Sequence, residues 1–326
     1  MIITQTPLRI SFLGGNTDFR QFFQKRGGAV LTTAINKYIY CIVTKRFDDK
    51  IYINWSKKEI VDSVDQIEHE LVREAMRKVG ITGGIEVSFL ADIPSEGSGL
   101  GSSGSVLVGA LNALYHFVGH SPGAEQLARE AVEIEVDVLK KPVGIQDQYI
   151  AAYGGLRFLE FQKNSAVKVS TIGVDDNLID DLDNYIMLFF TGRVRRSASI
   201  LTGLQASLPT AEKTLLKTKQ LAVAGRRALL AGRIPALANL MHRYWLLKKS
   251  LAPGISDGEI DGLYQKALAA GAIGGKIAGA GGGGFLVLMV PSEKRPHVRR
   301  ALKNLREVPV RLEPDGSKVI LDIRQY

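Results

Sequence analysis

The stretch Pro94-Ser-Glu-Gly-Ser-Gly-Leu-Gly-Ser-Ser-Gly-Ser-Val106 lies between an alternating strand pattern and an apolar helix. Upstream, Ile85, Val87 and Phe89 alternate with polar residues, and downstream residues 106–117 are apolar at helical spacing. Glycine lets backbone N–H groups approach an anion closely, and the N-terminus of a helix attracts negative charge. The stretch therefore predicts a phosphate-binding loop where a strand leads into a helix.

A flexible surface loop is the alternative, since glycine and serine are common in such loops, but a loop of that kind seldom leads directly into a long apolar helix. The chain contains no Gly-x-x-x-x-Gly-Lys-Ser/Thr pattern, which excludes a Walker-type nucleotide loop. A hydroxyl of Ser102 or Ser103 could also reach a magnesium ion. The candidate phosphate-binding residues are Gly97, Ser98, Gly99, Leu100, Gly101, Ser102, Ser103 and Gly104.

Two further glycine-containing stretches accompany this loop, at residues 7–18 (PLRISFLGGNTD) and 276–285 (KIAGAGGGGF). In this order and spacing, the three stretches resemble the three motifs of the GHMP small-molecule kinases, which include galactokinase, homoserine kinase and mevalonate kinase. The resemblance runs from Pro7 to about Val290 and so covers nearly the whole chain. It implies an enzyme that uses ATP and Mg²⁺.

The resemblance also implies an α+β fold of two domains with the active site in the cleft between them. Residues 1–183 would form an N-terminal nucleotide-binding and catalytic βαβ domain with a left-handed crossover. Residues 184–326 would form a C-terminal ferredoxin-like domain. The boundary near residue 183 is also where the composition changes, because the segment from Ser197 to Leu251 is almost entirely helical in pattern.

Hydrophobic and turn patterns predict the elements around these motifs. Pro209, Gly232 and Pro235 interrupt the long helical segment. Asp315-Gly316 near the end of the chain is a hairpin signal between two short strands. The other predictions are strands at 1–12, 34–44, 185–191 and 285–290, and helices at about 65–79, 123–140 and up to 305.

Composition is typical of a cytoplasmic enzyme. With 326 residues of which 45% are hydrophobic, the chain can bury a large core. The single cysteine, Cys41, excludes an intramolecular disulfide and fits a reducing compartment. The N-terminus lacks the plan of a signal peptide, and no apolar run is long enough to span a bilayer, so we expect no membrane partner. A homodimer is compatible with the sequence.

The formal net charge of +9 fits either nucleic acid or anionic small substrates, and charge alone does not decide between them. The basic pairs Lys294-Arg295 and Arg299-Arg300 have no interleaved aromatic residues. Because single-stranded nucleic acids are usually bound on aromatic stacking platforms, a solvated basic helix is favoured over a nucleic-acid site.

Glu135 interrupts an otherwise apolar stripe when residues from Ala128 onward are placed on a helix. A carboxylate directed at the interior needs a partner that offsets its desolvation, and a cation is suitable. A small rotation that places Glu135 at the edge of the stripe is the alternative. The nearby Gly144-Ile-Gln-Asp-Gln148 is similar to Gly-Ile-Met-Asp-Gln of galactokinases, whose metal glutamate lies at the same distance upstream.

That resemblance implies Asp147 as the catalytic aspartate, with Glu135 and Ser103 holding magnesium. Arg9 would stabilise the transferring charge or the ionised Asp147, and Asp18 would accept hydrogen bonds from sugar hydroxyls. For both aspartates, a loop-capping or turn role is the alternative. The other residues assigned to substrate binding in these motifs are Gly15, Asn16, Thr17, Gly144, Gly281 and Gly282.

Arg193, Arg195 and Arg196 precede a predicted helix, where cations oppose the helix dipole. They are better explained if an anion lies among them, because guanidinium groups and helix N–H groups can share a phosphate. Arg193, Arg196 and Lys248 are therefore candidate ligands of a substrate phosphate, with an exposed basic loop as the alternative for the arginines.

Phe-Thr-Gly before Arg193, with the stretches at 245–251 and 274–284, resembles the heptose kinase branch of the family. This resemblance implies phosphorylation of the anomeric hydroxyl of D-glycero-D-manno-heptose 7-phosphate to the 1,7-bisphosphate, on the route to nucleotide-activated heptose. Galactokinases have Glu-His at the position of Gly15-Asn16, which disfavours galactose. Two alternatives stay open: a fucose kinase-like enzyme for an unphosphorylated sugar, and a non-catalytic sugar and nucleotide sensor. The presence of Asp147, Glu135 and Ser103 argues against the sensor.

Overall fold

The computed structural model describes residues 1–94, 97–193, 197–208 and 210–323, except for the side chains of 197–199. Strands and helices alternate over the first half of the chain, and helices dominate the part between residues 197 and 270. The strands are β1 (Ile2–Leu13), β2 (Gly28–Lys45), β3 (Ile51–Asn54), β4 (Lys58–Val61), β5 (Ile85–Ala91), β6 (Leu156–Phe161), β7 (Val167–Thr171), β8 (Ile186–Phe190), β9 (Gly274–Ile277), β10 (Phe285–Met289), β11 (Arg306–Glu307) and β12 (Lys318–Asp322). The α-helices are α1 (Arg20–Arg26), α2 (Glu70–Val79), α3 (Ser102–Phe117), α4 (Ala124–Val132), α5 (Gln146–Tyr153), α6 (Asp176–Tyr185), α7 (Ser197–Ser207), α8 (Glu212–Leu230), α9 (Ile234–Lys249), α10 (Gly258–Ala269) and α11 (Arg295–Ala301).

The long strand β2 organises the first sheet, whose main order is β12-β1-β2-β5-β3-β4. On one side β2 pairs with β1, and on the other its first half pairs with β6 and its second half with β5. Only β3 and β5 are parallel neighbours among the described strands. Ile85 and Val87 are fully buried on β5, which confirms the alternating pattern that preceded the phosphate loop.

The second sheet has the order β11-β8-β10-β9, and its neighbours are all antiparallel. In chain order it is a strand, a helical excursion, two strands, the helix α11 and a last strand. This is the ferredoxin-like arrangement. The predicted two-domain α+β fold is thereby confirmed.

A shared hydrophobic core joins the two sheets. It contains Leu8 and Phe12 from β1 together with Leu188 from β8 and Phe285 from β10. Because these side chains pack in one cluster, β1 and the start of β10 lie close together. The first and third glycine motifs are thus brought to the same region of the molecule.

The end of the chain departs from the sequence prediction. Asp315-Gly316 does not connect a hairpin, because β12 instead pairs antiparallel with β1, Ile2 opposite Asp322. Gly316 is needed for a close approach: a Cβ there would lie 2.0 Å from the carbonyl oxygen of Ala152 at the end of α5. The domain boundary near residue 183 stays a prediction, and β12 belongs to the first sheet.

One helical prediction changes: the helix expected over 123–140 consists of α4 followed by a π-helical turn, Glu133–Val138. The break expected at Gly232 and Pro235 is confirmed, because α8 ends at Leu230 and α9 begins at Ile234. Pro235 lies in the first turn of α9, where its missing N–H is tolerated. Within the described residues, no helix is both long and apolar enough to cross a membrane.

Candidate active site

A cavity of about 440 Å³ lies where the three motifs converge. Its walls come from β1 and the loop after it, from the phosphate loop, from the start of α5 and from the end of β9. The helices α3 and α5 approach closely here, since a Cβ on Gly104 would lie 3.1 Å from atoms of Asp147. Two helix N-termini therefore face one cavity, which favours negatively charged ligands.

Hydrogen bonds connect the phosphate loop and the start of α3 to β1. The Arg9 amide donates to the Leu100 carbonyl at 2.9 Å, and its guanidinium donates to the Gly99 carbonyl at 2.6 Å. Ser105 at the start of α3 donates to the Pro7 carbonyl at 2.7 Å. Gly101, the residue before α3, has a φ of 82°, a left-handed conformation that glycine adopts without strain. The loop is thus held in a fixed position beside Arg9.

Arg9 and Asp147 form a two-bond ion pair. Arg9 Nε donates to Asp147 Oδ1 and Nη2 donates to Oδ2, both at 2.8 Å. The Arg9 side chain is almost fully buried, whereas the Asp147 side chain keeps 24% of its surface exposed to the cavity. The pair has the planar fork geometry that fixes a carboxylate in one orientation.

Asp18 is buried beside this pair. Its Oδ2 accepts hydrogen bonds from the backbone and side-chain nitrogens of Gln146 at 3.2 and 3.0 Å. Burial, followed by repulsion from Asp147, raises the pKa of Asp18 to about 6, although the Gln146 bonds act in the opposite direction. Gly144 is required at its position, because a Cβ there would lie 2.0 Å from Asp18 Oδ2.

Several buried polar atoms on the cavity wall have no hydrogen-bond partner within the described part of the chain. Buried polar groups are otherwise nearly always paired, so an unpaired set at one cavity indicates a polar ligand with several hydroxyl or amide groups. Asn16 also adopts a left-handed conformation, with a φ of 73°, although it is not a glycine. The unpaired atoms are Ser11 Oγ, Asn16 Nδ2, Asp18 Oδ1 and Gln146 Oε1.

Glu135 lies in the π-helical turn and is fully buried, as its place in the apolar stripe predicted. Its Oε2 accepts from the Gln148 side chain at 2.5 Å. Glu135 Oε1 and Gln148 Oε1 are buried without a partner among the described atoms. Burial raises the pKa of Glu135, and interactions with the Ser103 hydroxyl and Gln148 act against this shift.

These residues fit a magnesium ion. Mg²⁺ prefers oxygen ligands and is commonly held by one or two carboxylates together with substrate phosphates and water. Glu135 Oε1 and the exposed Ser103 hydroxyl are such oxygens beside the phosphate loop. No three His, Cys, Asp or Glu side chains form a metal cluster among the described residues.

Arg193, a predicted phosphate ligand, is paired with acidic residues in the structure. Its guanidinium lies 2.7 Å from Asp257 Oδ2 and donates to Glu259 Oε2 at 3.0 Å, so its charge is neutralised. It does not line the cavity. Arg195 and Arg196, the other arginines of the predicted cluster, lie outside the described residues.

Lys248, another predicted phosphate ligand, is bonded to backbone oxygens of the protein. It is fully buried and donates to the carbonyl oxygens of Ile277 at 3.4 Å and of Gly279. Burial, together with the charge of Arg9, lowers the pKa of Lys248 to about 7. It does not line the cavity. Its hydrogen bonds hold the backbone of the third motif in place.

Three other residues that were assigned to substrate binding do not line the cavity either. The Thr17 hydroxyl donates to the Gly14 carbonyl at 2.7 Å and to the Ala29 carbonyl at 3.0 Å, so it fastens the first loop to β2. Gly281 and Gly282 pack on Ile255, and the Gly282 amide donates to the Ile255 carbonyl at 2.8 Å. In their place the third motif contributes Gly279 and Ala280 to the cavity wall. Gly15 and Asn16, which were assigned to substrate binding, line the cavity.

Lys276 and Tyr244 are cavity residues that the sequence analysis did not identify as functional. Lys276 lies on β9 and is 2% exposed, with its ammonium 5.0 Å from the centre of the Tyr244 ring. The Tyr244 hydroxyl donates to the Gly15 carbonyl at 3.3 Å. A lysine among the buried residues of a strand was the available signal for Lys276, because a buried cation without a carboxylate partner usually has a specific role.

A second cavity of about 780 Å³ adjoins the first at Ser102 and Ser103. The His69 ring stacks on Phe89 with centroids 5.9 Å apart and meets Trp55 edge-on at 4.8 Å. Burial lowers the pKa of His69, which favours a neutral ring. An aromatic and apolar pocket next to a phosphate loop fits the flat base of a nucleotide.

Comparisons with known proteins agree with this geometry. The family described as GHMP kinases N terminal domain matches residues 68–155, and the family GHMP kinases C terminal matches residues 226–307. D-glycero-alpha-D-manno-heptose 7-phosphate kinase of Campylobacter jejuni is 32% identical over 320 residues, which cover 93% of each chain. A bifunctional fucokinase/GDP-fucose pyrophosphorylase of Arabidopsis thaliana is 25% identical, covering 94% of this chain and 32% of its own length.

Among solved structures, a D-glycero-D-manno-heptose 1-phosphate kinase from Bacteroides thetaiotaomicron superimposes with a TM-score of 0.83 and 27% identity, covering both chains completely. A sugar kinase structure from Campylobacter jejuni gives a TM-score of 0.78 at 28% identity over 98% of this chain and 97% of that one. A Lactococcus lactis galactokinase complexed with galactose has the same fold, with a TM-score of 0.78 at 19% identity over 97% of this chain and 94% of that one.

Proposed function

Because the chain belongs to the GHMP kinase family and is an ATP-dependent sugar kinase, we propose that it phosphorylates the anomeric hydroxyl of D-glycero-D-manno-heptose 7-phosphate. The product would be the 1,7-bisphosphate. One observation carries the sugar assignment: four unpaired polar atoms, on Ser11, Asn16, Asp18 and Gln146, surround the cavity beside Asp147. A polyhydroxylated ring would supply their missing hydrogen bonds.

The residues at the cavity suit phosphoryl transfer, which depends mainly on positioning and on charge neutralisation. The acceptor oxygen attacks the γ-phosphorus of ATP, the bond from that phosphorus to the β,γ-bridging oxygen breaks, and ADP leaves with the electron pair. Asp147 accepts the proton of the acceptor hydroxyl. Although Arg9 occupies one position on each Asp147 oxygen, a carboxylate has about four acceptor sites in all, so sites remain for the hydroxyl.

Glu135 and Ser103 would hold Mg²⁺ in this assignment, with the unpaired Gln148 Oε1 beside them. The chemistry that the ion supplies when bound is neutralisation of phosphate charge. Glu135 is prepared for a cation because it is buried with one oxygen unpaired, and an isolated buried carboxylate is costly. The phosphate loop and the N-terminus of α3 would bind the phosphates of ATP through backbone N–H groups.

Similarity to the Campylobacter heptose 7-phosphate kinase supports the choice of sugar. One observation favours a second candidate, an anomeric kinase for an unphosphorylated sugar. Arg193, which was expected to hold the substrate phosphate, is paired with Asp257 and Glu259. The similarity to fucokinases is consistent with that candidate.

Phosphorus NMR of the purified protein with Mg-ATP tests both candidates. Separate samples contain heptose 7-phosphate, unphosphorylated heptose, fucose, mannose or galactose, and each is repeated with Asp147→Asn. We expect a new anomeric phosphate resonance with heptose 7-phosphate alone and its loss in the variant. A resonance with fucose instead would select the second candidate, and no turnover with any sugar would indicate a protein that only binds.

A further inference from the structure

Three cations lie near the reacting groups: Arg9 and Lys276 line the cavity, and Lys248 is buried beside it. Of these three, only Lys276 lacks an oxygen partner among the described residues. Arg9 is held by Asp147 and the Gly99 carbonyl, and Lys248 by two backbone carbonyls. Lys276 makes no hydrogen bond or ion pair with any described residue, and its contact is the face of the Tyr244 ring at 5.0 Å. It is nevertheless 2% exposed and lines the cavity.

A buried ammonium without an oxygen partner is unfavourable, because desolvation penalises the charge and a cation–π contact returns only part of that cost. Such a group is explained if a ligand supplies the missing negative charge. The sugar hydroxyls are neutral and can be satisfied by the unpaired atoms on Asp18, Asn16 and their neighbours. The ligand of Lys276 is therefore expected to be a phosphate oxygen.

The position of β9 indicates which phosphate this is. After Lys276 the chain continues to Ala278 and Gly279, which pack directly on Gly99 of the phosphate loop, since a Cβ on Gly99 would lie 2.6 Å from the Ala278 carbonyl oxygen. Arg9 and Asp147, which flank the acceptor hydroxyl in the proposed function, both act electrostatically on Lys276. Lys276 thus lies at the side of the cavity where the γ-phosphate of ATP and the acceptor hydroxyl of the sugar would meet.

We propose that Lys276 is a catalytic residue whose ammonium donates a hydrogen bond to the transferring phosphoryl group. This inference rests on the proposed kinase reaction. Lys276 forms no covalent bond: its N–H groups contact phosphate oxygens while the phosphorus exchanges the bridging oxygen of ATP for the acceptor oxygen. A preorganised cation in a dry site stabilises charge that develops there more strongly than it would in water.

The charged groups around Lys276 predict a pH signature. Burial, then the charges of Lys248 and Arg9, lower its pKa well below the ordinary value, and Asp147 and Asp18 act in the opposite direction. Because the pKa is lowered in the free protein, the protonated form is present at low pH and is lost as the pH rises through that pKa. Phosphate binding favours the protonated form, so substrate binding should be accompanied by proton uptake at Lys276.

Steady-state kinetics of Lys276→Met and Lys276→Arg over a range of pH test the proposal. For Lys276→Met we expect kcat to fall about 100- to 1,000-fold, the loss typical of removing one donor to a transition-state charge. Lys276→Arg should recover part of this loss, and its alkaline decline in kcat/KM should move to higher pH because arginine stays protonated. The exposed Lys303→Met is the matched control and should behave like the wild type.

Two further measurements separate the outcomes. Calorimetric binding of Mg-ATP and thermal unfolding check that Lys276→Met still folds and binds nucleotide. The split between kcat and KM for heptose 7-phosphate then locates the contact: a loss of kcat with little change in KM supports the proposal. A rise in KM with kcat retained would assign Lys276 to the substrate's own phosphate and overturn it, as would wild-type kinetics of Lys276→Met. A wild-type protein inactive with every sugar would overturn the proposed function as well.

Discussion

Arg9 and Asp147, separated by 138 residues in the sequence, face each other in the cavity through two parallel hydrogen bonds of 2.8 Å. Arg9 belongs to the first strand and Asp147 to the first turn of α5. The same guanidinium also donates to Gly99 of the phosphate loop. One side chain therefore links the proposed proton acceptor to the loop that would bind the transferred phosphate.

Asp147→Asn should lower kcat about 100- to 10,000-fold, the range expected when a general base is removed, while ATP binding is largely retained. Arg9→Lys should also lower kcat, because one ammonium cannot reproduce the two-bond fork. Both effects are measurable by steady-state kinetics with nucleotide binding followed by calorimetry. Wild-type kcat in Asp147→Asn would refute its role as proton acceptor.

Gly144→Ala should damage the sugar subsite, since the added Cβ would lie 2.0 Å from Asp18 Oδ2. Relieving this overlap displaces a fully buried carboxylate, and overpacking of this kind typically costs about 1–3 kcal/mol of stability. We expect a higher KM for the sugar and a lower unfolding temperature. Gly173→Ala is the matched control, because a Cβ there meets open space. Equal behaviour of the two variants would contradict the prediction.

Asp18 should make the free energy of unfolding depend on pH. Its folded-state pKa of about 6 lies above the ordinary value of 3.8, so the folded protein retains a proton that the unfolded chain has already released. The contribution is full below about pH 4 and is lost as the pH rises through about 6. Relative to Asp18→Asn, the wild type should lose about 3 kcal/mol across this range. Urea unfolding at several pH values measures the difference, and parallel curves for the two proteins would refute it.

Glu135→Gln should raise the magnesium concentration needed for half-maximal activity by about 10- to 100-fold, the loss typical of perturbing a metal site. The amide keeps the size of the side chain but loses the charge that would attract the cation. Glu133→Gln is the control two residues earlier, because its carboxylate lies at the surface and pairs with Lys78. Magnesium titrations of kinase activity compare the two. An unchanged requirement in Glu135→Gln would remove it from the metal site.

Much of the candidate site could be predicted from the sequence, because its patterns involve residues that are close together along the chain. The glycine loop, the alternation of β5 and the interruption of an apolar stripe by Glu135 each depend on residues within a few turns of one another. The structure confirms the strand before the glycine loop, the helix after it and the burial of Glu135. The π-helical turn around Glu135 was not predicted, because no local pattern separates it from a continuous α-helix.

The sequence did not indicate side-chain partners that are distant along the chain. Arg193 was expected to bind a phosphate, but it pairs with Asp257 and Glu259, more than sixty positions later. Lys276 belongs to the third glycine motif, and its unpaired state depends on which residues of α9 and β1 surround it. A sequence indicates that a cation is present, whereas its neutralisation is decided by tertiary packing.

The pairing of β12 with β1 has a consequence for synthesis. The two strands meet at Ile2 and Asp322, so β1 receives its outer neighbour only after the helical segment and the second sheet have been made. At about 5–20 residues per second, a ribosome needs many seconds to reach β12 after β1 emerges. The strand that carries Arg9 therefore stays at the edge of an incomplete sheet during this time. The first sheet is completed only after the strands of the second sheet have been synthesised.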